Sequence, residues 1–142
     1  MTIQTFATLK ANMPIGTTGG TSVQDVHDIV DTMEEVTTQQ VVDIYASYTA
    51  TVADNRRFFT VGNAAATTFT IPNNVPRGWE CAVMQIGAGR VTIAVAGTGG
   101  PGNLWHADDH TKTNKQNSMV FLKCIWNDQN IPTIGMSGDT AL

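Results

Sequence analysis

The residues with the most chemical potential lie together in one short run of the last third of the chain. His106-Ala107-Asp108-Asp109-His110 places two imidazoles four residues apart, with two carboxylates between them. Such groups suit zinc or nickel, and in a symmetric oligomer one histidine per chain near the axis could complete a site. The run follows a Gly/Pro stretch and lies on no predictable helix, so the histidines need not converge. We therefore predict a polar loop tip with no metal and no cofactor, and His106 and His110 are the candidate ligands if an ion binds.

No set of residues has the spacing of a catalytic site. Nucleophilic catalysis by serine needs a base and an orienting group, and the chain has three histidines and no Gly-x-Ser-x-Gly motif. The carboxylates that glycoside cleavage would require mostly occupy turns, where aspartate bonds to the local backbone. The run Gly97–Gly102 lacks the lysine and the helix of a phosphate-binding loop, and we predict a flexible loop. We therefore predict that the protein is not an enzyme.

The composition favours strands and tight turns over a charged surface. Charged residues are 14% of the 142, against about 25% in a typical soluble domain, while threonine occurs 21 times and asparagine 10 times. The formal net charge of -4 argues against a nucleic-acid partner. No apolar run approaches the roughly 18 residues of a membrane span, and residues 1–14 lack the basic and apolar regions of a signal peptide. We therefore expect no membrane partner.

The first third of the chain divides into two predicted segments. Residues 1–20 combine Pro14 with three glycines, and we predict an extended arm that becomes ordered only against a partner. Residues 21–37 follow a helical apolar period and are predicted to form a short amphipathic helix. Its apolar stripe either forms a three-helix seam at the axis of a homotrimer or packs on the sheet. The residues of this stripe are Val23, Val26, Val30 and Met33.

From residue 38 to residue 142 the pattern predicts a jelly-roll-like antiparallel β-sandwich. Residues 42–52 alternate apolar and polar side chains, as in a strand with one buried face. Further short apolar runs follow at a spacing of about ten residues, and turn-forming residues separate them. Seven or eight such strands favour a sandwich or jelly roll. The other predicted strands are Phe58–Val61, Thr67–Ile71, Trp79–Ile86, Val91–Val95, Met119–Trp126 and Thr133–Met136.

The tryptophans and cysteines are predicted to divide between core and surface. Trp79 and Trp126 fall within apolar strand runs and are predicted to be core. Trp105 lies beside the polar loop and is the predicted exposed side chain that could stack on a ligand such as a sugar. Cys81 and Cys124 form no CxxC pair, so we predict two buried free thiols, with one bridge between neighbouring strands as the alternative.

The link between two of the predicted strands contains two glycines. Gly87-Ala88-Gly89 is predicted to be a tight turn of positive φ, so that Trp79–Ile86 folds back on Val91–Val95 as a hairpin. Gln85 then lies at the strand end, where its side-chain amide is predicted to pair with the loop backbone.

Five short pieces of the β-region occur in a distinctive order. They are Thr68–Pro72, Pro76–Gly78, Gln85–Ile93, Lys123–Trp126 and Gly135–Asp139. A threonine-rich strand ends in proline, a bend follows, a strand ends Gln-x-Gly-x-Gly, the next begins Val-Thr, and Gly-Asp closes the region. This order resembles the C-terminal β-domain of bacteriophage tail fibres, tail-needle knobs and head-decoration proteins. The segments Leu9–Gly16 and Gly20–Asp25 are similar to the start of small phage virion proteins.

The resemblance implies a trimeric structural protein of a phage virion. The β-region begins at residue 38, with no long shaft before it, so we expect a capsid decoration or head-fibre protein ahead of a tail-fibre or tail-needle knob. The expected partners are other copies of the chain and the major capsid protein or another virion protein, on the capsid exterior after assembly in the host cytoplasm. A host-glycan-binding module is the alternative.

Attachment to the particle is expected to use residues 1–20 and the predicted helix at residues 21–37, which carries several acidic residues, with residues 90–118 at the outward end. Ordering the arm costs conformational entropy, which burial of its apolar side chains on the particle can offset. The arm residues expected to contact the capsid are Ile3, Phe6, Leu9, Met13, Pro14 and Ile15.

Overall fold

Two β-sheets contain the strands of the computed structural model, which describes residues 39–142. In chain order the strands are β1 Val41–Ile44, β2 Tyr48–Thr49, β3 Phe58–Val61, β4 Thr67–Ile71, β5 Glu80–Gln85, β6 Val91–Gly97, β7 Gly100–Pro101, β8 Asn103–Trp105, β9 Lys112–Thr113, β10 Met119–Asp128, β11 Ile131–Gly138 and β12 Thr140–Ala141. Sheet 1 has the order β1-β3-β5-β10-β11-β8. Sheet 2 has the order β12-β9-β6-β4-β2, and β7 pairs with β6. The described region is therefore mainly β, as predicted.

The first six strands alternate between the two sheets. The strands β1, β3 and β5 run parallel in sheet 1, and β2, β4 and β6 run parallel in sheet 2. Parallel neighbours need a long crossover, and here each crossover contains a strand of the opposite sheet. Antiparallel pairing joins β5 to β10, β10 to β11, and β9 to both β6 and β12. The predicted antiparallel sandwich is thus wrong in this respect, because both sheets are mixed.

The predicted strand over residues 42–52 is divided in the structure. The chain bends after Ile44, so β1 belongs to sheet 1 and β2 to sheet 2. Val52 begins a short 3-10 helix, Val52–Asp54, in which the Asp54 carboxylate accepts the Thr51 backbone N–H. Apolar alternation does not reveal the bend, because it continues through the residues that change sheet.

Other strand predictions agree more closely with the structure. The bounds of β3 and β4 are those predicted, and β5, β6, β10 and β11 differ from the predicted bounds only at their ends. The turn between β10 and β11 was expected at Asn127-Asp128, but it is formed by Gln129 and Asn130, both with positive φ. Two consecutive residues of positive φ match the twist of a two-residue hairpin.

Aromatic side chains join the two sheets in the core. Phe59 of β3 and Phe69 of β4 meet edge to face with ring centroids 4.9 Å apart, and Tyr48 lies against both. Cys81 and Cys124 are buried free thiols, as predicted, and burial raises the pKa of both. The buried apolar residues of the two sheets form one cluster, which holds Ile44, Phe59, Val61, Phe69, Ile71, Trp79, Val83, Val91, Ile93, Val95, Val120, Leu122, Ile134 and Met136 among others.

The Gly87-Ala88-Gly89 link is not a hairpin turn. The strands before and after it, β5 and β6, lie in different sheets, and neither glycine has a positive φ. A Cβ on Gly87 would lie 2.1 Å from the Asn63 carbonyl oxygen, and one on Gly89 would lie 2.0 Å from that of Ala65. These glycines therefore allow close backbone approach. The Gln85 prediction is confirmed, because its side-chain amide donates to the Gly87 carbonyl at 3.0 Å.

Several predictions fall outside the described residues. These are the arm at residues 1–20 and the helix at residues 21–37, with the capsid-contact and trimer-seam side chains assigned to them. None of the helices in the described part of the chain has the length and hydropathy of a membrane span.

Candidate functional site

The histidine loop, residues 106–111, connects β8 to β9. His106 follows the end of β8 and His110 lies two residues before β9. The loop folds back on itself because the Asp109 backbone N–H donates to the His106 carbonyl at 3.2 Å, and Asp109 has a φ of 55°. Thr111 then donates its backbone N–H to the Ala141 carbonyl of β12 at 3.2 Å. The first bond closes the loop on itself, and the second fixes its C-terminal end to β12.

The two histidines converge, although their spacing in the sequence did not require it. Their rings stack with centroids 5.0 Å apart and planes 10° apart. The Thr140 hydroxyl lies 2.9 Å from Nε2 of His106 and 2.9 Å from Nδ1 of His110. Thr140 belongs to β12, more than thirty positions from His106, so local sequence carried no signal of this contact.

The hydrogen bonds of His106 select one tautomer of its neutral ring. The Asp108 backbone N–H donates to Nδ1 of His106 at 3.1 Å. Since Nδ1 is an acceptor, the neutral ring carries its proton on Nε2 and donates it to the Thr140 hydroxyl. One donor atom each from His106, Asp108 and His110 lies within 4.8 Å of the others, the only group of this kind found among the described residues.

The second candidate site is an aromatic patch formed by Trp105, Ile125 and Trp126 on the outer face of sheet 1. Trp105 and Trp126 are each 53% exposed, and their rings meet edge to face with centroids 6.2 Å apart. Ile125 lies over Gly135, the residue paired in register with Trp105. The exposure of Trp105 was predicted, and Trp126 is the neighbour that sequence reasoning missed.

The prediction that Trp126 is a core residue is wrong because β10 contains a bulge. The register of β10 against β11 shifts between Cys124 and Trp126, so Ile125 and Trp126 are both exposed in succession. Strict alternation from Cys124 would have turned Trp126 inward. Trp79, the other tryptophan predicted to be core, is 1% exposed, which confirms its assignment.

The buried carboxylate of Asp54 accepts hydrogen bonds from neighbouring residues of the fold. It is 1% exposed, and its Oδ1 accepts from Nη1 of Arg57 at 2.7 Å. Its Oδ2 accepts from the Tyr48 hydroxyl at 3.0 Å and from both the backbone N–H and the hydroxyl of Thr51. These bonds tie β2, the 3-10 helix and the start of β3 together.

A second bonded carboxylate, Asp139, closes the loop between β9 and β10. It accepts from the Ser118 hydroxyl at 2.7 Å and the Asn114 amide at 3.0 Å, and these bonds lower the pKa of its carboxyl. Asp139 is the second residue of the closing Gly-Asp motif, so that motif has a structural role here.

Comparisons with protein-family models, with curated proteins and with solved structures return no match for this chain.

Proposed function

We propose that this chain is a structural protein of a bacteriophage virion, a homotrimeric capsid decoration or head-fibre protein. In this proposal residues 38–142 form a jelly-roll-like knob, and the N-terminal region binds the shell. The proposal rests on the ordered motifs of the β-region. Two of them have clear structural roles, since Gln85 supports the Gly-x-Gly link and Asp139 bonds the loop before β10.

The observation that carries an assembly role is the group of exposed aromatic side chains on the outer face of sheet 1. Phe121 of β10 is exposed on this face, and the aromatic patch lies at its β8 edge. A cluster of exposed apolar side chains, such as this patch, is typical of a surface that binds another protein. The low content of charged residues, 14%, suits a protein that works within an assembly.

The arm at residues 1–20 is the proposed anchor, and a binding experiment with purified particles tests it. The full chain should co-sediment with particles, whereas a variant without residues 1–20 should remain a soluble trimer and stay in the supernatant. A truncated variant that decorates particles at full occupancy would exclude the arm as the anchor. Sedimentation equilibrium of the free full chain should give three copies, and a monomer at micromolar concentration would contradict the trimer.

The salt dependence of binding to particles tests how the acidic segment of the N-terminal region takes part in attachment. Seven acidic residues and no lysine or arginine lie between Lys10 and Arg56. If this segment meets a basic surface, added salt screens the attraction and releases the protein from particles. If the carboxylates face solvent, occupancy stays constant as salt rises.

A second candidate function is glycan binding by a receptor-binding knob, and the pairing of Trp105 with Trp126 favours it. One indole can stack on a sugar ring while the other forms a wall beside it. A glycan array tests this function with Trp105→Ala and, as a matched control, Phe121→Ala, since Phe121 is an exposed aromatic residue of the same sheet. Binding lost only with Trp105→Ala supports this function, and an array without binding excludes it for the glycans displayed.

A further inference from the structure

The histidine loop contains an arrangement that none of the functions above uses. Two imidazoles and one carboxylate, from His106, His110 and Asp108, converge between β8, β9 and β12. The side chains of all three residues are common ligands of first-row transition-metal ions. The two imidazoles favour zinc over magnesium or calcium, which prefer oxygen ligands. We propose that these three residues bind a divalent transition-metal ion of the zinc class.

Thr140 gives the proposed site its orientation. Its hydroxyl bonds to Nε2 of His106 and to Nδ1 of His110, which is one nitrogen of each ring. A histidine that binds a metal through one nitrogen commonly donates its other N–H to a fixed acceptor. The hydroxyl oxygen has two lone pairs, so it can accept an N–H from both rings at once. The remaining nitrogens are Nδ1 of His106 and Nε2 of His110.

The availability of these two nitrogens differs. Nε2 of His110 makes no hydrogen bond to any residue between 39 and 142, the part of the chain that the structure describes, so it is available to a cation. Nδ1 of His106 accepts the Asp108 backbone N–H, which the ion must displace. The displaced amide can bond water, because Asp108 is exposed. His106 already carries its proton on Nε2, the tautomer that binding through Nδ1 requires.

The site has to tighten when the ion binds. Atoms that share a zinc ion at about 2.0–2.1 Å lie roughly 3.4 Å from one another, whereas here one ligand atom from each of the three residues lies within 4.8 Å of the others. Asp108 and His106 belong to a surface loop, whereas Thr140 is held in β12 by its pairing with β9. The rings and the carboxylate can therefore move toward one another while their anchor stays in place. Three protein ligands leave one tetrahedral position for water or for a group from another molecule.

The proposed site would link elements that are distant in sequence. A bound ion would hold the β8–β9 connection in one conformation, with β12 beside it through Thr140. Because an ion that binds only the folded state stabilises that state, zinc should raise the unfolding temperature of the full chain. This inference is independent of whether the protein decorates a capsid.

Titration of the full chain with zinc and with cobalt tests the proposal directly. Isothermal titration calorimetry should give one zinc ion per chain, and cobalt should give visible absorption bands of tetrahedral coordination. His106→Asn and His110→Asn should abolish both signals, and Thr140→Val should weaken zinc binding by about tenfold. The chain provides two matched controls, because His27→Asn removes the third histidine and Asp109→Asn removes the neighbouring carboxylate.

Asp108→Asn keeps the test decisive if a histidine variant fails to fold, because Asp108 is exposed. This variant should lose the zinc-dependent rise in unfolding temperature, while Asp109→Asn should keep it. The proposal is overturned if the full chain shows no saturable zinc binding. It is equally overturned if His27→Asn or Asp109→Asn weakens binding as much as the substitutions within the loop.

Discussion

Gly138 of β11 lies against the backbone of Met119 at the start of β10. A Cβ on residue 138 would fall 2.2 Å from the Met119 carbonyl oxygen, and Gly138 has a φ of 129°, which side chains rarely allow. The next residue, Asp139, donates its backbone N–H to that same carbonyl at 3.1 Å. The glycine of the closing Gly-Asp motif is therefore required by the close approach of two strands.

Gly138→Ala should destabilise the fold strongly. The added methyl group must separate β10 from β11 or strain the backbone, and we expect a loss of about 2–4 kcal/mol in the free energy of unfolding. Urea denaturation followed by circular dichroism measures it. Gly100→Ala is the control, since a Cβ there meets no atom within 4 Å. Equal stability of the two variants would contradict the strain at Gly138.

Asp54→Asn should remove a buried charge that four donors surround. The amide nitrogen cannot accept the bonds of Oδ1 or Oδ2, so we expect a loss of about 2 kcal/mol in the free energy of unfolding. The same substitution should lower the pKa of Tyr48, which burial and the hydrogen bond to Asp54 raise. Ultraviolet titration of tyrosine measures that change. The exposed Asp128→Asn should alter stability by less than about 0.5 kcal/mol, and a comparable loss there would argue against the network.

Asp139 should contribute stability that acid removes. Hydrogen bonds from Ser118 and Asn114 lower the pKa of its carboxyl in the folded state below the ordinary value of an aspartate. A lowered folded pKa stabilises the protein above the unfolded value, and this contribution is lost as the pH falls through the folded value. The stability difference between the unmodified chain and Asp139→Asn should be constant above about pH 5 and shrink below about pH 4. A difference that stays the same at pH 2 would refute the assignment.

The tryptophans should differ in their access to a soluble quencher. Trp105 and Trp126 are half exposed, whereas Trp79 is buried. In the double variant Trp105→Phe/Trp126→Phe, the fluorescence comes from Trp79 alone. That fluorescence should have a shorter wavelength than in the unmodified chain and should resist quenching by iodide. In a variant that keeps Trp126 as its only tryptophan, iodide should quench the fluorescence in dilute solution. Resistance of Trp126 to iodide in that state would place it in the core, as the sequence alone suggested.

Local patterns predicted the strands whose signal is contained within their own residues. The bounds of β3 and β4 were found because each is a short apolar run between turn residues. The pattern could not show which sheet a strand joins, because sheet membership depends on partners far along the chain. This is why the local pattern predicts a hairpin turn at Gly87-Ala88-Gly89 and one strand over residues 42–52, and both predictions are wrong.

The candidate sites illustrate the same limit. The two histidines are both bonded to Thr140, which follows them by thirty residues or more. No feature of residues 106–110 predicts that contact. Trp126 is exposed because a single extra residue in β10 reverses the alternation beyond Cys124. Trp105 was predicted correctly because its polar neighbours alone indicated exposure.

The most direct test of the proposed function is quantitative mass spectrometry of purified phage heads that lack tails. The head fraction should contain the chain in a copy number that is a multiple of three and far above that of a tail protein. The purified tail fraction should contain none. A chain found only with tails, or in neither fraction, would contradict a capsid decoration or head-fibre role.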